Sequence, residues 1–266
     1  MNSIITQVYY TDKERVEQYT FHGWGDFIRG CIYMFQYCKN NNIELKIDFS
    51  KHYISKFFIC NSNISIDDCK NAKYIFADNE YDNIADYPFV FTNRHPPEAI
   101  DEPCKRFIKT NCFTPVEPFY EKVASVKKSF GLVNAGYYVL HVRLADNEIV
   151  SLERIKQIDT KINAMFKEHC FLTNQKILLI SSNEDFLDKY ENQNLIKTGL
   201  SRGHLGLDTT GSQQTEDTMI EFMLMTTCKE IIQFSVYCWG SGFSDIVSKI
   251  YDINIKQYSL YTLEHL

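Results

Sequence analysis

Tyr137-Tyr138-Val139-Leu140-His141-Val142-Arg143-Leu144-Ala145-Asp146 is an apolar run that ends in an imidazole, a guanidinium and a carboxylate. Tyr137–Val142 reads as a buried strand, and the segments downstream of it decide the architecture. Residues Leu152–His169 carry helical spacing, Lys176–Ser181 reads as a strand, and a short helix starts at Glu184. Leu195–Lys197 is a short strand, and Ser201–Thr215 is a polar loop that carries glycine. Asp217–Cys228 comes next as a helix, Ile231–Ser235 as a strand and Gly242–Tyr251 as a helix. Strands that alternate with helices imply an α/β fold with a doubly wound parallel sheet. Such sheets take ligands outside the carboxyl ends of their strands, which is where His141 and Arg143 fall.

Toward the amino terminus the pattern repeats. A short β-prone piece ends at Phe21, and His22-Gly23-Trp24-Gly25-Asp26 is a glycine loop. Phe27, Ile28, Cys31, Ile32, Phe35 and Cys38 then recur at helical spacing until Asn40-Asn41-Asn42 stops the helix. Ile43, Leu45, Ile47 and Phe49 alternate as a strand; Tyr74–Phe76 and Phe89–Phe91 read as two more. Five of the six prolines lie between Arg94 and Pro118, which suggests a junction, and a helix is expected over Tyr120–Phe130. The expected domains are therefore 1–115 and 116–266. Residues 50–115 carry no readable motif.

The 266 residues are 44% hydrophobic and 23% charged, with a net charge of −6, so disordered and fibrous classes are excluded. With no basic block, a nucleic-acid backbone binder is not expected. No apolar run of 18 residues occurs, so no membrane span is expected. Nine cysteines are scattered without metal-binding spacing, which fits reduced thiols and a cytoplasmic protein. Only seven of the 28 basic residues are arginine, and planar bidentate phosphate recognition is a task lysine does poorly.

Three constellations carry chemistry. Arg143, at a strand's carboxyl end, is placed to hold a diphosphate bidentately, or else to pair with Asp146. Ser235 ends a strand before Trp239-Gly240-Ser241-Gly242-Phe243-Ser244, whose small residues at a helix start leave N–H groups open to an anion; the alternative is a serine cap in a tight turn. Gly23, Gly25 and Gly30 approach a dinucleotide fingerprint, with Arg29 one turn on, while Asp26 could equally cap the helix. Trp24 and Trp239 each adjoin a glycine loop, for stacking or for packing. No D-x-D, HExxH, GxSxG or Walker sequence occurs, so no metal site is expected.

In this order the pieces resemble the fucosyltransferase-like superfamily of GT-B fold enzymes, which includes nodulation-type, α-1,2-, α-1,6- and protein O-fucosyltransferases. His141-Val142-Arg143 is similar to the family's H-x-R motif. Gly23-Trp24-Gly25-Asp26 with its helix and strand is similar to the amino-terminal glycine loop. Ile180-Ser181-Ser182-Asn183 sits where members often end a strand in T-D or S-D, and Asp217 through Phe243 is similar to the last motif, closing in S-x-F. The resemblance implies two Rossmann-like lobes with parallel sheets and a cleft between them, the amino-terminal lobe facing a glycan acceptor and the other holding GDP-fucose. It implies inverting transfer with no metal and no cofactor beyond that donor. Donor contacts are then expected from Gly23, Gly25, His141, Arg143, Ser182, Asn183, Ser235, Ser241, Gly242, Phe243 and Ser244. Arg143 and Asp26 are the expected catalytic residues, with His22, Arg29, Arg202, Asp217 and Trp239 as further candidates. The alternatives are a transferase of the same fold using another nucleotide sugar, and a non-catalytic nucleotide-binding module.

Overall fold

The computed structural model describes residues 4–10, 23–76, 83–145, 148–168, 175–201, 203, 205 and 211–260. Their elements are, in order, β1 (Ile4–Val8), α1 (Trp24–Asn41), β2 (Glu44–Asp48), α2 (Ile66–Asn71), β3 (Lys73–Ile75), β4 (Phe89–Thr92), α3 (Glu102–Cys112) and α4 (Glu117–Ser129). Then come β5 (Tyr137–Arg143), α5 (Leu152–Glu168), β6 (Lys176–Ser181), α6 (Glu184–Lys189), β7 (Leu195–Lys197), α7 (Ser212–Met225), β8 (Glu230–Ser235), α8 (Gly242–Tyr251) and β9 (Asn254–Ser259). Two compact units result: Met1–Tyr120 with Gly203–Glu216, and Glu121–Arg202 with Asp217–Leu266. A single cut at residue 115 does not include the return of 203–216 to the first unit. No helix among the described residues is long and apolar enough to cross a membrane.

The first unit holds a four-stranded sheet in the order β2-β1-β4-β3, all parallel. One of its two inner strands, β1, was not legible in the sequence, and the β-prone piece ending at Phe21 lies outside the described residues. β1 carries Gln7, wholly buried, whose side chain donates to the Thr92 carbonyl at 2.8 Å and accepts from the Thr92 N–H at 3.2 Å. A polar residue in a short strand masks the apolar pattern, and its partner lies far along the chain. Helix α1 presents Trp24, Phe27, Ile28 and Cys31 to the core, as their 3.6-residue spacing requires. It ends at Asn42, whose left-handed φ of 54° lets its N–H reach the Cys38 and Lys39 carbonyls.

The proline-rich stretch is part of this unit rather than a linker. Asp101 caps α3 by accepting from the Cys104 N–H at 2.9 Å, and Pro103 occupies the first turn, where no N–H partner is needed. α3 then packs on α1 through Phe35 and Phe107, whose ring centroids are 5.0 Å apart.

The carbonyl of Leu205 accepts from the Tyr9 hydroxyl at 3.0 Å and from His52 Nε2 at 3.1 Å, while His52 Nδ1 accepts from the Ile54 N–H at 3.2 Å. This pattern needs a neutral ring protonated at Nε2. Burial lowers the imidazole from 6.5 to about 4. Between those values the unfolded chain binds a proton that the folded chain does not. The contribution is therefore complete above pH 6.5 and is lost as pH falls toward 4, in total on the order of 3 kcal/mol. Urea unfolding at pH 7.5 and 4.5 should show wild type losing roughly 2–3 kcal/mol more than His52→Gln over that interval. Equal losses would show that His52 does not set the acid limit.

The second unit is a five-stranded parallel sheet in the order β7-β6-β5-β8-β9, with β5 at its centre. Val139, Leu140 and Val142 are wholly buried, as a central strand covered on both faces requires. Leu140, Val142, Ile158, Ile162, Leu179, Phe186 and Ile232 share one core. The edge strand β9 alternates weakly and adds a partner to β8 that the sequence pattern did not reveal.

Candidate functional site

Three neighbouring strands of the second unit end together. Arg143 pairs in register with Ser235, Val142 with Ser181, and the Val236 N–H donates to the Arg143 carbonyl at 3.0 Å. Arg143 Nη1 donates to the Ser182 hydroxyl at 2.6 Å and to the Leu144 carbonyl at 2.9 Å. Its guanidinium carbon sits 5.3 Å from the centre of the Tyr237 ring, within cation–π range. Arg143 and Ser182 are thus brought together at the carboxyl edge of the sheet. Asp146, the alternative partner for Arg143, lies outside the described residues, as do His22 and Arg202.

Helix α8 starts beside this edge. Its cap residue Ser241 is extended and makes no side-chain capping bond, so the first-turn N–H groups are not closed off by that hydroxyl. Ser244 is wholly buried and faces inward: its hydroxyl lies 2.9 Å from His141 Nδ1 and accepts from Gln233 Nε2. His141 is itself 3% exposed. His141 and Ser244 therefore join each other, and their side chains brace α8 against β5 and β8. Phe243 packs edge-on against Phe222 at 5.1 Å and near the His141 ring at 6.5 Å. Gln233, a polar residue within an apolar strand, is the signal that the sequence reading left unused; its Oε1 is buried and unpartnered among the described residues. Gly240 has a φ of +79°, and a Cβ there would lie 2.3 Å from that oxygen, so the turn into α8 needs glycine at this position.

Other expected contacts have hydrogen-bond partners within the fold. Asn183 caps α6 by accepting from the Phe186 N–H at 2.8 Å and donates to the Glu148 carbonyl at 2.8 Å and the Ala145 carbonyl at 3.4 Å. Its amide nitrogen and its amide oxygen are thereby both engaged, which ties the start of α6 to Ala145 and Glu148. The Ser235 hydroxyl accepts from the Tyr237 N–H at 2.9 Å and donates to the Gly240 carbonyl at 3.3 Å, shaping the turn. Asp217 is buried and accepts from the Ser201 N–H at 3.1 Å. Glu221, one turn along α7, accepts from the Thr198 hydroxyl at 2.8 Å; the sequence reading passed over it. Trp239 stands 73% exposed.

In the first unit Gly23 is the cap residue of α1, and Asp26 lies within the first turn rather than at the cap position. Gly25 and Asp26 lie in its first turn. Asp26 pairs with Arg29 at 2.8 Å, and Arg29 Nε donates to the Asn93 carbonyl at 2.8 Å. Trp24 is core, packed against Tyr9, Phe27 and Phe49. A surface cleft of about 450 Å³, lined by Thr6, Lys46, Asn61 and Phe89 among others, includes none of the residues singled out from the sequence. Among the described residues no cluster of three His, Cys, Asp or Glu side chains could hold a metal ion.

No protein-family model matches the chain, and no curated protein matches it in sequence. Solved structures do match. NodZ α-1,6-fucosyltransferase soaked with GDP-fucose aligns with a TM-score of 0.62 at 12% identity, over 100% of this chain and 98% of that one. The selenomethionine form of NodZ from Bradyrhizobium aligns with a TM-score of 0.60 at 13% identity, over 100% and 97%. The R284K mutant of FUT1 from Arabidopsis thaliana in complex with GDP aligns with a TM-score of 0.55 at 10% identity, over 100% and 71%. The chain therefore has a fucosyltransferase-like α/β fold, built on two parallel sheets.

Proposed function

We propose that this protein is an inverting, metal-independent glycosyltransferase that moves fucose from GDP-fucose to a glycan hydroxyl in the cytoplasm. The observation that carries the reading is Arg143, bonded to Ser182 at the carboxyl edge of the second sheet and adjoining the start of α8, in a fold shared with a structure soaked with GDP-fucose. In this reading the second unit binds the donor and the first serves the acceptor. The guanidinium and the first-turn N–H groups of α8 stabilise the charge that develops on the leaving diphosphate. The acceptor oxygen forms a bond to the anomeric carbon as the bond from that carbon to the phosphate oxygen breaks. Asp26 takes the acceptor's proton.

Calorimetry with GDP and GDP-fucose, combined with hydrolysis and transfer assays on a glycan panel, tests the proposal. Binding without turnover on any acceptor would favour the non-catalytic module. Transfer is expected to continue in EDTA; complete loss restored by Mn²⁺ would overturn the metal-independent mechanism.

Asp26→Asn is expected to lower turnover roughly 10²-fold, because an amide cannot accept the proton. Donor affinity should not move. Melting temperature should hardly move either, since the half-exposed pair with Arg29 is worth at most about 1 kcal/mol. Wild-type turnover in Asp26→Asn would pass the base role to another group.

A further inference from the structure

The turn from β8 into α8 carries a second feature that the diphosphate reading does not use. Trp239 is 73% exposed, yet its ring lies almost parallel to that of Tyr237, with centroids 5.2 Å apart and planes at 23°. Tyr237 is half-buried and rests against the core of the second unit. The Arg143 guanidinium lies 5.3 Å from the centre of the same tyrosine ring. Arg143, Tyr237 and Trp239 thus form a chain of planar groups fixed to the carboxyl edge of the sheet, where parallel sheets take their ligands.

One face of the indole is covered by tyrosine and the rest is open. Backing by Tyr237 fixes the ring before any ligand arrives, so little side-chain entropy remains to be lost on binding. An open aromatic face suits a flat, polarisable ring, and every nucleobase presents one. The phosphate-binding arginine in contact with the same tyrosine places such a ring within the span of one nucleotide.

We propose that the open face of Trp239 stacks on the nucleobase of the nucleotide sugar, with Tyr237 as its support. The inference rests on the proposed function, since it requires a nucleotide donor. It makes Trp239 and Tyr237 determinants of donor affinity distinct from the phosphate-binding groups.

The chain has two tryptophans, and Trp24 is 2% exposed, so a ligand-dependent change in emission reports on Trp239. The full-length protein is titrated with GDP, GDP-fucose and inorganic pyrophosphate, with binding read by fluorescence and calorimetry. GDP and GDP-fucose should quench the emission, whereas pyrophosphate should bind without quenching. Trp239→Ala should weaken GDP roughly ten- to hundredfold, the range of a lost base–aromatic stack. It should leave pyrophosphate within twofold, and Trp239→Tyr should recover most of the GDP affinity. Because the side chain is exposed, circular dichroism should be unchanged in both variants. Equal GDP affinity in wild type and Trp239→Ala overturns the inference while leaving the donor reading intact. So does a loss confined to GDP-fucose, which would place the sugar rather than the base on the indole. Failure of wild type to bind GDP at all would instead remove the donor reading, and this inference with it.

Discussion

Arg143→Lys is expected to lower kcat/KM for transfer from GDP-fucose roughly 10²–10³-fold, nearly as far as Arg143→Ala. The charge is kept in the lysine variant, so a small effect would be expected if charge alone mattered. What is lost is the planar fork. Arg143 uses Nη1 to hold Ser182 and the Leu144 carbonyl, and its flat face meets Tyr237. A lysine ammonium is a compact point charge that cannot keep those contacts and also present two parallel N–H groups to a phosphate. Loss of an interaction that strengthens as the leaving group gains charge falls mainly on kcat. GDP affinity should fall less than turnover, and melting temperature should change little because the residue is at the edge of the core. Near-normal turnover in the lysine variant would remove Arg143 from the donor site.

Gly30→Ala is expected to have the largest effect on stability, a loss of about 4 kcal/mol from overpacking together with a broken buried hydrogen bond. Alanine is the better helix former, and propensity alone would give a gain of about 1 kcal/mol. Packing decides against it. A Cβ on Gly30 would lie 1.7 Å from the Thr92 carbonyl oxygen and 2.8 Å from Gln7 Nε2. The oxygen is backbone at the end of β4 and cannot turn aside. Helix α1 would have to lift from the sheet, opening the Gln7–Thr92 pair and loosening Phe27 and Cys31. A deficit of that size approaches the whole stability of many domains. Urea unfolding compares the two proteins directly; a Gly30→Ala protein as stable as wild type would refute the close approach of α1 to β4.

These two positions divide what was legible from what was not. The spacing of strands and helices from Tyr137 to Tyr251 arises from side-chain periodicity, which is local, and every strand expected there forms. The same periodicity placed Arg143 at a strand's carboxyl end, and parallel pairing then brought it to Ser182. Gly30 was visible only as the third member of an imperfect glycine pattern, and its need for a bare Cα comes from a carbonyl 62 residues away.

Buried polar groups show the same limit. Asn183 and Ser244 are expected donor contacts in the sequence and Gln7 carries no signal there, while in the fold each is buried with a hydrogen-bond partner from elsewhere in the chain. Pattern reading also missed β1 and β9, one masked by Gln7 and Thr6 and the other an edge strand with a weak apolar face. The sequence by itself determined the α/β alternation and which residues stand at the strand ends, because both depend on side-chain spacing along the chain. Only the tertiary structure decided which polar side chains stand at the carboxyl edge of the sheet and which are buried, because a buried hydrogen bond depends on a partner whose position the neighbouring sequence does not encode.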